Sequence, residues 1–337
     1  NSIVISSNGH IFGGTASVGI RRSTDGGNSW TPINRGMANL GVNSLAINSE
    51  GHIFAGAVNM ADIHRSTDNG ENWTRLGSGG LQPQGEFVNG VLALASNSNG
   101  HVFARASDEI IFRSTDNGNS WGRVYQSPIT GTFSYLIKSF AINASGYIFG
   151  GTSGNGFPIF AHGYASVLSL AINADGHIFA GAANSGVLRS TNNGDYWVQV
   201  NTGLRTSSGG YPNVYSLTIN YNGDIFAGTG SDIYRSTTNG GSWARVFSGL
   251  GLVECFAVDS NGHIFAGTDR NGVFRSIDNG NNWSPVNLGL TNFNVFSLAT
   301  NSSDHIFAGT NGGIFMSTNN GEIWTLVLKC QDIVDKF

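Results

Sequence analysis

Two carboxylates late in the chain have the residue types and spacing for acid–base chemistry. Glu254 stands near the start of an apolar, strand-like run, and Asp269 follows the next such run. Counting back through the intervening turn places Glu254 across from Thr268, so the two carboxyl groups should come close together. Hydrolysis of a glycosidic bond requires paired carboxylates about 5 to 10 Å apart. Glu254 and Asp269 are therefore the candidate catalytic pair, although a solvated loop charge balanced by Arg270 is the simpler interpretation.

A second group of charged residues stands where a repeated glycine is missing. Arg105 takes the place of that glycine, and Asp108 and Glu109 follow it closely. The seven matching positions carry Gly14, Gly56, Gly151, Gly181, Gly228, Gly267 and Gly309. Because residues shared by every repeat serve the fold, the residues that break a repeat are the candidates for binding a ligand.

One position near the start of each apolar run varies in type. Its residues are Asn43, Leu92, Lys138, Leu168, Tyr215, Glu254 and Phe296. A charged pair with two aromatic residues would suit the lining of a small-ligand site, although plain solvation of the opening explains the row equally well. We therefore add Lys138, Tyr215 and Phe296, together with Asp269 and Arg270 of the neighbouring loop, to the candidate ligand-binding residues.

The elements that position these residues belong to an internal repeat. The string Gly-His-Ile-Phe or a close variant recurs with its phenylalanine at Phe12, Phe54, Phe103, Phe149, Phe179, Phe226, Phe265 and Phe307. Seven of these units continue into a string from serine to tryptophan, here called the Ser–Trp segment. The segments are Ser23–Trp30, Ser66–Trp73, Ser114–Trp121, Ser190–Trp197, Ser236–Trp243, Ser276–Trp283 and Ser317–Trp324, and they contain all 7 tryptophans of the chain.

One unit, residues 42 to 77, predicts four short antiparallel strands. The apolar runs 42 to 48 and 52 to 57 are separated by a turn, and two further strands flank the Ser–Trp segment. Four such strands in about 42 residues, repeated, are typical of a β-propeller blade. The 49 glycines and 6 prolines of the chain agree with many tight turns joined by short strands.

The Ser-x-Asp-x-Gly-x-x-Trp pattern resembles the Asp-box, or BNR repeat, of sialidases, xyloglucan-degrading glycosidases, sortilin-type receptors and photosystem II assembly factors. Asn192, Thr238 and Asn319 replace the aspartate in three segments. The resemblance implies a fold element between the third and fourth strands, on the face away from the usual active site. The Asp or Asn side chain should accept N–H groups of its own turn, and Thr238 should do so more weakly.

We therefore expect an all-β fold, a single β-propeller of eight four-stranded blades in one domain, 1–337. The blades fall at about 1–35, 42–78, 88–126, 135–165, 166–201, 213–248, 252–287 and 293–328, with a tail at 329–337. The fourth unit has no Ser–Trp segment, so its blade should be truncated to three strands. The alternative is a seven-bladed ring with this unit absorbed as an insertion.

Two further repeated rows look chemical but are better explained as structural. Six histidines, at positions 10, 52, 101, 177, 263 and 305, start the second strands. Equivalent positions on stacked sheets are roughly 10 Å apart, too far for shared metal bonds, so no metal and no cofactor are expected. Arginines at 22, 65, 113, 189, 235 and 275 precede the segment serines, and we expect them to bridge to a neighbouring blade.

The charge composition excludes several classes of partner. Of 337 residues, 17 are Lys or Arg and 21 are Asp or Glu, giving a net charge of -4, so electrostatic binding of nucleic acid is disfavoured. No apolar run is long enough for membrane insertion, and 2 cysteines cannot form a disulfide scaffold. A Lys-poor, Asn-, Ser-, Thr- and Gly-rich repeat resembles secreted or cell-surface bacterial propellers.

Three functions remain open, with the enzyme assignment undecided but leaning against catalysis. The first is a non-catalytic binding or scaffold propeller that recognises a glycan or protein partner on the face opposite the Asp-boxes. The second is a glycoside hydrolase of the Asp-box type using Glu254 and Asp269. A sialidase is disfavoured because its Arg-Ile-Pro string is absent. The third is a role resembling that of the photosystem II assembly factor. It would need a basic patch, and it is weakly supported because only three lysines occur, at 138, 329 and 336.

Overall fold

The computed structural model describes 2–15, 18–37, 40–57, 62–76, 90–97, 100–106, 110–126, 136–142, 148–153, 166–206, 208–301 and 303–329. The chain divides into two compact units. Unit 1 comprises residues 1–134 and 144–146, and unit 2 comprises residues 135–143 and 147–337. No helix capable of spanning a lipid bilayer occurs among the described residues.

Unit 1 contains sheets 1 to 3, each of four strands. Its strands are β1 (Ser2–Ile5), β2 (Ile11–Gly14), β3 (Ile20–Ser23), β4 (Thr31–Pro32), β5 (Val42–Ile47), β6 (Ile53–Ala57), β7 (Ile63–Ser66), β8 (Thr74–Arg75), β9 (Val91–Ser96), β10 (Val102–Ala106), β11 (Ile110–Ser114) and β12 (Gly122–Gln126).

Unit 2 contains sheet 4, of two strands, and sheets 5 to 8, of four strands each. Its strands are β13 (Leu136–Ile142), β14 (Ile148–Ser153), β15 (Val167–Ile172), β16 (Ile178–Ala182), β17 (Gly186–Ser190), β18 (Val198–Gln199), β19 (Ser216–Ile219), β20 (Ile225–Gly228), β21 (Asp232–Ser236), β22 (Ala244–Ser248), β23 (Val253–Val258), β24 (Ile264–Thr268), β25 (Val273–Ser276), β26 (Ser284–Pro285), β27 (Val295–Thr300), β28 (Ile306–Thr310), β29 (Gly313–Ser317) and β30 (Thr325–Lys329).

The expected four-stranded antiparallel units are confirmed, and the strand order in each sheet follows the chain. The described residues form seven four-stranded sheets, which matches the alternative count of seven blades and not the eight first expected. The fourth repeat unit contributes the two-stranded sheet β13–β14. The third strand expected for that unit, and the tail from residue 330, fall on residues outside the described ranges.

The apolar core of each unit lies between neighbouring sheets. Between sheets 1 and 2, Phe12 and Ile20 pack with Val42, Ile53 and Trp73, and four of these side chains are fully buried. Because both faces of an inner strand meet a neighbouring sheet, these strands are apolar almost throughout instead of alternating. The repeated phenylalanine of the second strand is therefore a core residue.

The Ser–Trp segment folds into a turn closed by its own side chains. In sheet 2, the Gly70 N–H donates to Ser66 Oγ at 2.8 Å, and Ser66 Oγ donates to Asp68 Oδ1 at 2.8 Å. Asp68 Oδ1 also accepts the Asn72 N–H at 2.9 Å. The Asn72 side chain, whose Nδ2 donates to Asp68 Oδ2 at 2.8 Å, and after it the Asn72 N–H, hold the pKa of the Asp68 carboxyl below its usual value. Asn69, which lies between Asp68 and Gly70, adopts a left-handed backbone conformation with φ of 63°.

That left-handed residue turns its carbonyl toward the preceding sheet. Arg22 Nη1 in sheet 1 donates to the Asn69 carbonyl at 2.7 Å, and Arg22 Nη2 lies 2.7 Å from Glu71 Oε1. The same bond to the next sheet is made by Arg65, Arg189, Arg235 and Arg275. Arg113 occupies this position in sheet 3, but it is exposed, and its side chain makes no hydrogen bond to any described residue. An arginine of this row therefore joins two sheets when the next sheet carries a Ser–Trp segment.

A glycine at the end of the second strand sets a second contact between sheets. A methyl carbon placed on Gly228 would lie 2.6 Å from Val253 Cγ1 of the next sheet and would also meet Ser216 Oγ. Gly14, Gly56, Gly181 and Gly267 face a valine of the next sheet in the same way. The glycine therefore leaves the space that this valine fills.

We predict that Gly228→Ala lowers the free energy of unfolding by about 1–3 kcal/mol, because the added methyl group overpacks this contact. Chemical denaturation would measure the change. Gly230→Ala is the matched control, since no atom lies within 4 Å of a methyl carbon placed there. The control should change stability by less than about 0.5 kcal/mol. Equal losses in both variants would contradict the close contact.

Candidate functional site

In both units, the Ser–Trp segments share one side with the turns between the first and second strands. Asn117 Nδ2, in a segment of sheet 3, donates to Glu50 Oε2 in such a turn of sheet 2 at 2.9 Å. Because adjacent strands are antiparallel, the loop after the second strand and the linker to the next sheet lie on the opposite side. Backbone hydrogen bonds join that loop and linker, as from Asp269 N to the Leu252 carbonyl at 3.1 Å.

Six of the seven residues in the variable row of the sequence are β-bulges, and the whole row, with Tyr215 as its seventh member, is here called the bulge row. Val253 pairs with Thr268 and Cys255 with Gly267, so Glu254 is the extra residue between two pairs. The expected pairing of Glu254 with Thr268 is wrong by one residue, because a regular hairpin count omits the bulge. The same irregularity occurs at Asn43, Leu92, Lys138, Leu168 and Phe296. A bulge redirects the side chain of its extra residue, which frees this row from pairing in the sheet.

In unit 2, side-chain hydrogen bonds link the backbone next to Tyr215, Glu254 and Phe296 from one sheet to the next. Ser216 Oγ, which follows Tyr215, donates to the carbonyl of Val253, which precedes Glu254, at 2.8 Å. Cys255 Sγ, after Glu254, lies 3.8 Å from the carbonyl of Val295, which precedes Phe296. Tyr215, directly before strand β19, therefore lies in one row with Glu254 of β23 and Phe296 of β27.

Glu254 and Asp269 interact electrostatically. The pKa of the Glu254 carboxyl is raised above its usual value, mainly because Glu254 is partly buried. The negative charge of Asp269 is the second cause. The register from which the approach of the two groups was predicted is wrong, and their role as a pair stays a prediction. A carboxyl group held closer to neutrality beside an ionised one can donate or accept a proton, or can attract a cation.

Asp269 also has a structural role in its loop. Its Oδ1 accepts the Leu252 N–H at 3.1 Å, and its Oδ2 lies 3.4 Å from Arg270 Nε. Asn271 Nδ2 donates to the Leu250 carbonyl at 2.7 Å, which fixes the same loop to the linker between sheets 6 and 7. Arg270 is 84% exposed, so its guanidinium screens Asp269 only weakly.

The remaining predicted residues lie apart from this group. Arg105 lies inside strand β10 of unit 1, not on an open loop, and is only 7% exposed. It pairs with Ala93, whereas the glycines of its row pair with Ser44, Ser139, Ser169, Ser216, Cys255 and Ser297. Asp108 and Glu109 fall outside the described residues, and Lys138 is the bulge residue of β13, with a side chain outside the description.

Sequence reasoning missed the contribution of the linker between sheets 7 and 8. The Phe293 carbonyl accepts the Gly272 N–H at 3.0 Å, which ties this linker to the loop carrying Asp269. The Phe293 side chain is 47% exposed, and that of Phe296 is 52% exposed. An aromatic residue between two polar residues, Asn292 and Asn294, was the available signal.

The histidine row has local partners. The backbone N–H of His52 donates to Asn48 Oδ1 at 2.9 Å, and His263 Nδ1 lies 2.8 Å from Asp259 Oδ2. In the part of the chain that the structure describes, no three His, Cys, Asp or Glu side chains converge as metal ligands would.

Several solved structures are similar to the chain. A GH74 xyloglucanase from Xanthomonas campestris matches with a TM-score of 0.63 and 16% identity, over 97% of this chain and 54% of its own. YCF48 bound to D1 peptide matches with a TM-score of 0.59 and 14% identity, over 91% of this chain and 88% of its own. PorZ, a surface component of the Porphyromonas gingivalis type-IX secretion system, matches with a TM-score of 0.56 and 15% identity, over 93% and 50%.

These likenesses establish the β-propeller fold, as expected from the repeat. The chain spans about half the length of the xyloglucanase. No protein-family model matches the sequence, and no curated protein matches it either. At 14–16% identity, the three proteins inform the fold and not the activity of this chain.

We predict that Asp269→Asn lowers the pKa of Glu254, because it removes the negative charge that disfavours a second one nearby. The amide oxygen can still accept the Leu252 N–H, and the pKa should stay above its usual value because Glu254 remains partly buried. Carboxyl-carbon NMR titration would measure the shift, with the resonance assigned by its loss in Glu254→Gln. Asp195→Asn, an exposed site in the same unit, should leave it unchanged. An unchanged or raised pKa in Asp269→Asn would refute the coupling.

Proposed function

We propose that this chain is a non-catalytic binding or scaffold propeller of the Asp-box type. Its partner, a glycan or a protein, would contact the side of the sheets opposite the Ser–Trp segments. The observation that carries the proposal is the bulge row, whose side chains vary in chemistry while the surrounding rows repeat.

The roles of the repeated polar residues support this proposal. The arginines that precede the segments donate to carbonyls of the next sheet, and the segment aspartates accept hydrogen bonds of their own turns. These groups are therefore occupied in holding the fold. The side chains of Tyr215, Glu254 and Phe296 belong to no such repeated contact, and they lie where loops and linkers meet.

The similar structures suggest both the partner class and the location. YCF48 is described in complex with D1 peptide, and PorZ as a bacterial surface component. By analogy, recognition of another chain at the surface of a cell, or after secretion, fits this fold. The net charge of -4 favours neither nucleic acid nor an anionic membrane surface as partner.

A glycoside hydrolase of the Asp-box type is the second candidate. The observation in its favour is the raised pKa of Glu254 beside Asp269, since a general acid and an ionised partner are what glycoside hydrolysis uses. Against it, Asp269 is engaged by the Leu252 N–H and by Arg270. A nucleophile or base with both oxygens so engaged would be poorly placed for catalysis.

One combined screen separates these functions. The full chain is tested for binding on a glycan array and against displayed random peptides, and the bound polysaccharides are then assayed for release of new reducing ends. We expect binding without turnover. Tyr215→Ala and Phe296→Ala should each weaken binding by about 5- to 30-fold, because truncating an aromatic contact typically costs about 1–2 kcal/mol. Asp195→Asn should leave binding unchanged.

Turnover that Glu254→Gln and Asp269→Asn each abolish would instead establish the hydrolase. Binding that neither Tyr215→Ala nor Phe296→Ala affects would exclude the bulge row as the binding surface. Failure to bind any glycan or peptide would count against the proposed function as a whole.

A further inference from the structure

Three segments of unit 2 form one surface around the Asp269 loop. The linker at 250–252 is bonded to this loop through Asp269 and Asn271. The linker at 291–294 is bonded to it through the Phe293 carbonyl and the Gly272 N–H. These hydrogen bonds fix the backbone beneath Glu254 and Phe296, so their side chains are presented from a rigid base.

The aromatic residues of this surface are incompletely covered. Phe296 is 52% exposed and Phe293 is 47% exposed, while most phenylalanines of the repeat are fully buried. Tyr215, on the other side of Glu254 in the row, is half-buried, and its hydroxyl oxygen lies 3.0 Å from Asn213 Nδ2. An apolar ring therefore stands on each side of the Glu254 carboxyl along the row.

The charge of this surface is negative and only partly compensated. The Glu254 carboxyl makes no hydrogen bond or ion pair with any described side chain or backbone group, and the charge of Asp269 acts on it from nearby. Asp269 is paired with Arg270, but that arginine is 84% exposed and its Nε lies 3.4 Å away. The two carboxylates against one arginine leave a net negative charge, which a positively charged ligand group would complement.

We infer that this surface binds a lysine or arginine side chain of an extended peptide segment, with the cation at Glu254 and the alkyl stem between Tyr215 and Phe296. The inference rests on the proposed binding function and names its partner class. Lysine and arginine combine an apolar stem with a charged tip, which matches apolar rings flanking a carboxylate. The aromatic faces add a favourable interaction with the cation.

The same features disfavour a sugar as the occupant. Neutral glycans carry no cation to balance Glu254, and acidic glycans would be repelled by the two carboxylates. The seven tryptophans, the largest surfaces for stacking on a sugar ring, all lie in the Ser–Trp segments on the other side of the sheets. The exposed rings here include two phenyl groups, which offer no polar edge to sugar hydroxyls.

The test is selection of random 12-residue displayed peptides on the full chain, followed by affinity measurements on the selected peptides. We expect enrichment of peptides in which one lysine or arginine is flanked by apolar residues. Glu254→Gln should weaken their binding by about tenfold, because it removes a charge-assisted contact without changing the side-chain shape. Asp195→Asn removes an exposed carboxylate of the same unit and should not change the affinity.

A second measurement links the cation of the peptide to Glu254. Replacing the basic residue by citrulline, or by acetyl-lysine, should cause a similar loss in the unaltered chain and little further loss in Glu254→Gln. Selected peptides without a basic residue, or basic peptides whose affinity ignores Glu254→Gln, would overturn the inference while the binding function stands. Binding of glycans with no peptide selected would do the same. If neither class binds, the proposed function itself fails.

Discussion

The hydrogen bond from an arginine guanidinium to the carbonyl of a left-handed residue in the next sheet connects the local turn to the packing of the sheets. The turn must place one residue at positive φ, which explains Asn at that position and the glycine after it. The resulting carbonyl points toward the preceding sheet, where Arg22 or Arg275 reaches it. Both arginines are 15% exposed, so losing the carbonyl acceptor would leave a largely buried guanidinium with only an exposed glutamate, Glu71 or Glu322, as partner.

This constraint separates residues that hold the fold from those available for binding. Arginine, serine and aspartate of the repeat are engaged in turns and between sheets, and the glycine row admits the valine of the next sheet. The bulge residue between that valine and the following serine is exempt from these contacts. The chain can therefore vary this residue without disturbing the sheets. That freedom gives Tyr215, Glu254 and Phe296 different chemistry on one common backbone.

The repeat and its strands could be predicted because each row recurs at matched positions and includes turn residues of known geometry. The position of Glu254 could not, since a bulge adds one residue that apolar patterning does not reveal. Arg105 was a candidate ligand-binding residue because it breaks the glycine row, and it lies in a strand opposite Ala93, where other sheets have glycine opposite serine or cysteine. The signal in the sequence was the change at both paired positions, since arginine replaces the glycine and alanine replaces the serine or cysteine opposite it. Phe293 was missed because its position depends on hydrogen bonds between a loop and a linker.

The hydrogen bond from the arginine guanidinium to the carbonyl of the next sheet is tested most directly by comparing the free energies of unfolding of Arg22→Met and Arg113→Met. Methionine keeps much of the alkyl stem and removes the guanidinium. The Arg22 side chain bonds to the Asn69 carbonyl of the next sheet, whereas Arg113 is exposed and its side chain bonds to no described residue. We predict a loss of about 1.5–3 kcal/mol for Arg22→Met and less than about 0.5 kcal/mol for Arg113→Met. Equal losses, or a larger loss at Arg113, would contradict the account.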